Sequence, residues 1–376
     1  MRIAIIGAGL AGASAALALA QAGAQTAVFE QFALRHDKGS SHGPTRLFRT
    51  AYFERPDYVP ILKRALAGWR RLERAAGETL FHQTGVVEAG PPDGFLMPGL
   101  ARAVAEHDLP VERLSRAALK RDHRNLVLPE HFDAIFEKDA GFILSDRAHG
   151  ALLRLARECG ARLAPDTRVT RWEPAKDGVA IWTAQGKEIF DRLVIAAGSW
   201  ANALVGVEAA KIEIAEMSVF WRKPATRDFN LDAGFAPFGV ETQDGEFYYG
   251  FPAIDGDGVK LGEHTRRSAI ASHADRTDAP APGEEAMIDT FLERFIPALA
   301  HRPGAHQRCL YEMSADGDFL IDRHPLCDRV IFLAGLSGHG FKFAPVLGEA
   351  IAAMAHGQAT PAEWEFLSLR RFAASP

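Results

Sequence analysis

The chain carries its chemically capable side chains in a few compact stretches. Gly7-Ala8-Gly9-Leu10-Ala11-Gly12 is a complete GxGxxG, and Glu30 ends the strand pattern that follows it. In such a turn Gly7 permits the sharp bend, Gly9 lets backbone approach a pyrophosphate, and Gly12 lets the next helix pack close to the strand. The phosphate charge then sits on a helix N-terminus. Glu30 can accept both hydroxyls of an adenosine ribose, and its charge would repel a 2′-phosphate, which argues against NADP. Val259-Lys260-Leu261-Gly262-Glu263-His264 alternates strictly, so Lys260, Gly262 and His264 share one face of a strand. That face is either an ordinary solvated one or the wall of a site. Cys309-Leu310-Tyr311 offers a thiol, either a small buried hydrophobe or a nucleophile whose ionisation Arg308 could favour. Ser337-Gly338-His339-Gly340-Phe341-Lys342-Phe343 places a histidine and a lysine in a glycine-rich turn just before a helix. Such a turn is costly in backbone entropy and suits close approach to a ligand.

Other chemistries are set aside by context. Gly39-Ser40-Ser41-His42-Gly43 matches GxSxG in form, but no apolar strand precedes it and no helix follows, so it is not a nucleophile elbow. There is no HExxH or other helical histidine pair, and no CxxC, so no metal site is expected.

The elements that must position these residues follow from pattern. Arg2 to Ile6 reads as a buried strand, Ala13 to Ala22 as a helix and Thr26 to Phe29 as a second strand, which explains the apolar N-terminus better than a signal peptide does. Lys38 to Arg46 is a polar loop expected to line a cleft. Ile61, Leu62, Ala65, Leu66, Trp69 and Leu72 mark an amphipathic helix whose Lys63, Arg64, Arg70 and Arg71 read as its solvated face. Ala151 to Cys159 marks another, with Cys159 expected as a buried thiol. Leu193 to Gly198 is a continuous apolar strand of the parallel-sheet type. From Lys211 the pattern turns antiparallel, including a hairpin of Phe247 to Pro252 with Val259 to Thr265 across Asp255-Gly256-Asp257-Gly258. Centred on that turn, it sets Tyr249 opposite His264 and Phe251 opposite Gly262. A helix is expected around Met287 to Leu299, a buried strand at Val330 to Leu333, and a last helix at Val346 to Ala355.

Parallel-type material thus appears at the start, middle and end, so two domains must interleave. The expected fold is α/β, with a Rossmann-like dinucleotide-binding domain at 1–80, 145–210 and 315–376 and an antiparallel-sheet substrate domain at 81–144 and 211–314. The 376 residues, 47% hydrophobic and 24% charged, exclude disorder, collagen and coiled coil. With 43 basic against 48 acidic side chains, a net charge of −5, no nucleic-acid or membrane partner is expected. Three cysteines without a pairing pattern suit a reducing, cytoplasmic setting.

Taken in order, GAGLAG at Gly7, SSHGPTRLFRTAY at Ser40, YYGFP at Tyr248, KLGEHT at Lys260, Cys-x-Tyr at Cys309 and GLSGHGFKF at Gly335 resemble the monomeric sarcosine oxidase and N-methyltryptophan oxidase family, over nearly the whole chain. The resemblance implies FAD joined by a thioether from its 8α-methyl to Cys309, with a Rossmann-like FAD-binding domain. It implies that Lys260 lies by the flavin and promotes reaction with molecular oxygen, since a fixed cation in a dry site stabilises developing negative charge. His42 and Arg46 match residues near the flavin, Arg49 and Lys342 a pair that binds a substrate carboxylate, and Tyr249, His264 and Tyr311 the lining around the amine. The cofactor set expected here is Gly7, Gly9, Gly12, Glu30, Ser41, His42, Arg46, Val169, Gly198, Cys309, Gly338, Gly340, Phe341 and Lys342. The chain departs from the family at Ser41, where a second histidine is common, and at Pro44, where an acid is common. The activity so implied is oxidation of secondary N-methyl amino acids by a monomer, yielding formaldehyde, the free amino acid and hydrogen peroxide. Oxidation of a cyclic imino acid such as pipecolate or of a glycated amino acid, or a dehydrogenase with non-covalent FAD, are the alternatives.

Overall fold

The computed structural model describes residues 1–206, 210–254 and 256–372. Its first layer is a six-stranded sheet in the order Leu320–His324, Cys327–Ala334, Arg192–Ile195, Arg2–Ile6, Gln25–Phe29 and Arg162–Ala164. All neighbours are parallel except the first pair. Arg2–Ile6 is buried on both faces, which is why its sequence is a plain apolar run. The helix Leu10–Gln21 is equally enclosed, packing between Ser145–Glu158 and Ala344–Ala355. Its small residues allow this approach: Ser14 Oγ donates to Ala344 O at 2.5 Å, and a Cβ on Gly348 would stand 2.5 Å from Ser14 O.

A larger sheet runs Ser268–Ile270, Glu213–Arg222, Val259–Glu263, Phe247–Phe251, Phe238–Glu241, Val86–Gly90, Asp133–Glu137 and Val111–Arg113, with His306–Met313 also paired to Glu213–Arg222. Glu284–Phe295 covers its outer face through Ile288, Phe291, Leu292 and Phe295. Thr45–Phe48 joins Gly141–Leu144 and Phe81–His82 in a small antiparallel sheet between the two larger ones in sequence. No helix of the described residues is long and apolar enough to cross a membrane.

Two expectations are corrected here. Cys159 is exposed, because the helix Ser145–Glu158 ends one residue before it and the thiol sits at the frayed cap. The hairpin pairs Tyr249 with Gly262 and Phe251 with Lys260, two residues from the expected register, and His264 instead donates its N–H to Phe247 O. The pairing centres earlier, with Asp257 N–H on Ile254 O at 3.2 Å, and Asp255 of the expected turn lies outside the described residues. Because the slip is even, every side chain keeps its face. Gly262 is what permits this pairing, since a Cβ there would lie 2.8 Å from the Tyr249 hydroxyl. The basic side chains of the helix Tyr58–Ala76 are solvated as expected, with Arg64 and Arg71 on Glu349 and Arg70 on Glu73.

Candidate active site

A long cavity runs from the glycine turn to the other large sheet, with walls from Ile6 to Lys342. At its first end Gly7 holds φ +100° and lies so close to Ala196 that a Cβ would stand 2.4 Å from that carbonyl. Gly12 does not line the cavity. A Cβ there would stand 1.9 Å from Gly7 O, so its hydrogen locks the helix onto the turn. Glu30 is buried and accepts Ala8 N–H at 2.8 Å and Phe32 N–H at 3.0 Å. Burial would raise its carboxyl, but His36 and these backbone donors outweigh that and hold it low. Ser41 Oγ accepts Leu10 N–H at 2.9 Å, and Val169 and Gly198 (φ +53°) wall the same end.

The loop 40–46 is shaped from within by Arg46, which donates to the carbonyls of Ser40, His42 and Thr45. Gly43 (φ +104°) lets it fold back so that its N–H meets Asp146 at 3.0 Å. Among the described residues neither buried ring nitrogen of His42 has a hydrogen-bond partner, and burial with Arg46 nearby pulls it down to about 4. Lys260 reaches across from its strand, only 5% exposed, to donate to Thr45 O at 2.9 Å. The solvated reading of its face is therefore excluded. Burial and then Arg46 pull its ammonium well below the ordinary range, with Cys309 opposing.

Alternation along His306–Met313 sends Gln307, Cys309 and Tyr311 to the cavity. Arg308 points the other way, pairing with Glu216 at 2.6 Å and Glu284 at 2.9 Å, so it cannot serve the thiol. Tyr311 OH lies 3.2 Å from His264 Nδ1, and Tyr249 stands beside it. Burial keeps His264 neutral, down to about 4.

The turn Gly338 to Lys342 closes the far end. Gly338 (φ +78°) lies against the Tyr311 ring, where a Cβ would come within 2.2 Å, and Gly340 and Phe341 continue the wall. His339 Nε2 meets Gly317 O at 3.0 Å and must donate to it, which leaves Nδ1 to accept from Tyr52 OH at 2.5 Å. Lys342 Nζ donates to His339 O at 2.9 Å and is pulled down to about 7, first by burial and then by Arg49. Arg49, 4% exposed, meets Glu54 at 2.6 Å and Glu88 at 3.5 Å. Burial alone would raise Glu54, yet Arg49 holds it at about 2. A second, polar hollow that includes Arg102 and Arg267 shares Glu54, His264 and His339 with the first.

Every candidate residue except Gly12 thus lines one cavity. Sequence reading passed over Tyr52, Glu54, Glu88, His149 and Trp200. His149, which meets Ala8 O at 2.7 Å, and Trp200 lie on elements read only as scaffold. Glu54 had one signal, an acid five residues beyond Arg49. The residues fit a flavin dinucleotide: a glycine turn on a helix N-terminus, a buried acid, an orphaned imidazole and a thiol share one trough.

Over residues 2–354 the chain matches the family described as FAD dependent oxidoreductase. It is 33% identical over 369 residues to N-methyl-L-tryptophan oxidase of Yersinia pestis (strain Pestoides F), covering 98% of each chain. The fold is shared with NikD, an unusual amino acid oxidase of nikkomycin biosynthesis, at TM-score 0.85 and 21% identity over 97% of this chain and 96% of that one. It is shared too with L-proline dehydrogenase from P. horikoshii, at TM-score 0.83 and 22% identity over 99% and 97%. With matches of this length lying over a cavity so lined, the chain belongs to the FAD-dependent oxidoreductases, in the sarcosine and N-methyltryptophan oxidase group its motifs resemble.

Proposed function

We propose that the enzyme oxidises secondary N-methyl amino acids, of the sarcosine or N-methyl-L-tryptophan type, to formaldehyde and the demethylated amino acid, with oxygen reduced to hydrogen peroxide. The observation that supports this reading is that one cavity is lined both by Arg49 and Lys342, read as its carboxylate end, and by Lys260 and Cys309, read as its redox end. FAD, held by Gly7, Gly9, Glu30, Ser41 and the loop around Arg46 and bonded to Cys309, would supply two-electron oxidation of the C–N bond.

The chain's own groups do the rest. Arg49 offers a planar fork and Lys342 a point charge, which together fix one carboxylate and so orient the N-methyl carbon at the other end. Tyr249, Tyr311 and His264 border the amine; a neutral His264 adds no charge to repel it. An amine must shed its proton before oxidation, and a buried site with several cations favours the neutral form. Lys260 holds positive charge where oxygen is reduced. In this reading the segments 1–80, 145–210 and 315–376 carry the flavin and 81–144 and 211–314 the substrate, in a cytoplasmic monomer.

Peroxide release across a panel of N-methyl, cyclic imino and glycated amino acids tests the substrate; turnover confined to the last two classes would refute the N-methyl assignment. Acid precipitation tests the bond to Cys309: yellow colour left with the pellet supports it, and colour lost to the supernatant refutes it.

A further inference from the structure

Behind Arg49 lies a carboxylate with no hydrogen-bond donor to either oxygen among the described residues. It is that of Glu88, which sits in the middle of Val86–Gly90, wholly buried. Against it stands the back edge of Arg49, whose Nε is 3.5 Å from Oε1 and is itself without a partner. The front edge of the same guanidinium carries Glu54, and of the two acids Glu54 alone lines the cavity. The rings of Tyr52 and Phe53 lie 4.9 and 4.4 Å from the guanidinium carbon. In its own plane the guanidinium also donates from Nη1 to Ala51 O, at 3.4 Å.

The charged groups around Glu88 are few. Arg49 and Glu54 come from the segment after Thr45–Phe48, Glu137 from the adjacent strand, and Lys342 from the glycine-rich turn. On its other side Gly239 lies against it, and Glu241 of that strand is spent on the N–H groups of Phe95 and Leu96. Glu137 accepts N–H donors from Thr50 and Ala51, at 2.7 and 3.1 Å, and Glu54 has Arg49. Glu88 is the acid whose charged form is least supported, and a proton added to the cluster belongs there. Burial, partly opposed by Arg49, accordingly pushes it up to about 8.

Above about pH 8, where Glu88 is ionised, a substrate carboxylate seated on Arg49 and Lys342 adds a negative charge beside Glu54, Glu88 and Glu137. Unbalanced charge in a buried site is strongly unfavourable, and taking a proton from solvent onto one acid relieves it. We propose that Glu88 is a positioning residue that holds Arg49 from behind and takes up a solvent proton when a substrate carboxylate displaces Glu54 from the guanidinium. Above about pH 8 carboxylate binding and proton uptake are then one event, and below it Glu88 already holds its proton. This rests on the assignment of Arg49 and Lys342 as the carboxylate site.

The test uses the flavin-loaded enzyme and methoxyacetate, the oxygen counterpart of sarcosine, which has no amine to oxidise. Binding is followed by flavin absorbance and by calorimetry in buffers of different ionisation enthalpy, above and below the Glu88 range at about pH 8. Above that range the wild-type enzyme should take up protons, its affinity falling up to about tenfold per pH unit for each proton linked. Lys342 also titrates nearby, at about 7, so the difference between wild type and Glu88→Gln is the readout. Glu88→Gln should take up about one proton fewer, and its affinity should depend less on pH. Wild-type binding without proton uptake overturns the inference, and so does equal uptake in Glu88→Gln. Binding indifferent to Lys342→Met overturns the carboxylate site, and the inference with it.

Discussion

Lys260 is a cation kept in a place that resists its charge. It has one close hydrogen bond, to Thr45 O, and burial pulls its ammonium well below the ordinary range. Because a lysine so shifted loses its proton as pH rises, the oxygen-consuming half-reaction should slow toward high pH while flavin reduction by substrate keeps its own profile. Lys260→Met should slow reoxidation by about 10²–10³-fold, the usual cost of one preorganised charge-stabilising group. Stopped-flow measurement of each half-reaction decides this; equal losses in both would deny Lys260 the assigned role. Residues of this kind were legible because lysine, cysteine and histidine stand out in glycine-rich or alternating runs. Glu88 was not legible: in Val87-Glu88-Ala89 an acid reads as the solvent side of a strand. Its burial comes from neighbouring strands that are remote in sequence, Phe238–Glu241 and Asp133–Glu137.

At the scale of elements, the glycine turn and its helix were legible to within a few residues because one short local pattern specifies them. Gly12→Val should disrupt that contact, since even a Cβ would stand 1.9 Å from Gly7 O. An overpacking loss of about 1–3 kcal/mol is expected, seen as a lower thermal midpoint and weakened flavin retention during folding. The strand His306–Met313 was harder to see, although Cys309 and Tyr311 were singled out. Its Arg308 and Glu312 look like solvent-facing residues but are buried, Arg308 at 3% exposure within the Glu216 and Glu284 pairs. Arg308→Met removes one side of that network and should cost about 3–5 kcal/mol, measured by denaturant unfolding. A change within experimental error would mean that the network carries no stability. The hairpin register was missed for a related reason: four consecutive turn-forming residues allow more than one centre, and the room at Gly262 helps select among them.

Across the whole molecule, buried groups set the response to acid. His42, His264 and His339 are held down to about 4, 4 and 3 from 6.5, so each withdraws stability as pH falls below 6.5, where the unfolded chain gains protons first. Glu88 and Glu312, raised to about 8 and 7 from 4.5, oppose this down to pH 4.5 and then contribute no slope. Glu54, held at about 2 from 4.5, adds its own loss below 4.5. Three imidazoles outweigh two carboxyls, so thermal midpoints should fall modestly from pH 6.5 to 4.5 and more steeply below, where the carboxyls cease to oppose and Glu54 adds its loss; a decline no steeper below 4.5 than above it would contradict the balance.

The order of strands in the parallel sheet has a further consequence, for how the protein is made. Arg2–Ile6 lies between Gln25–Phe29, its near neighbour in sequence, and Arg192–Ile195, which in turn waits for Cys327–Ala334. On the ribosome Arg2–Ile6 therefore emerges long before the strands that complete its sheet. Contacts of such long sequence separation fold slowly and leave strand edges uncovered in the meantime. For most of synthesis the nascent chain should be a client of chaperones, unable to retain flavin until nearly all of it has been translated.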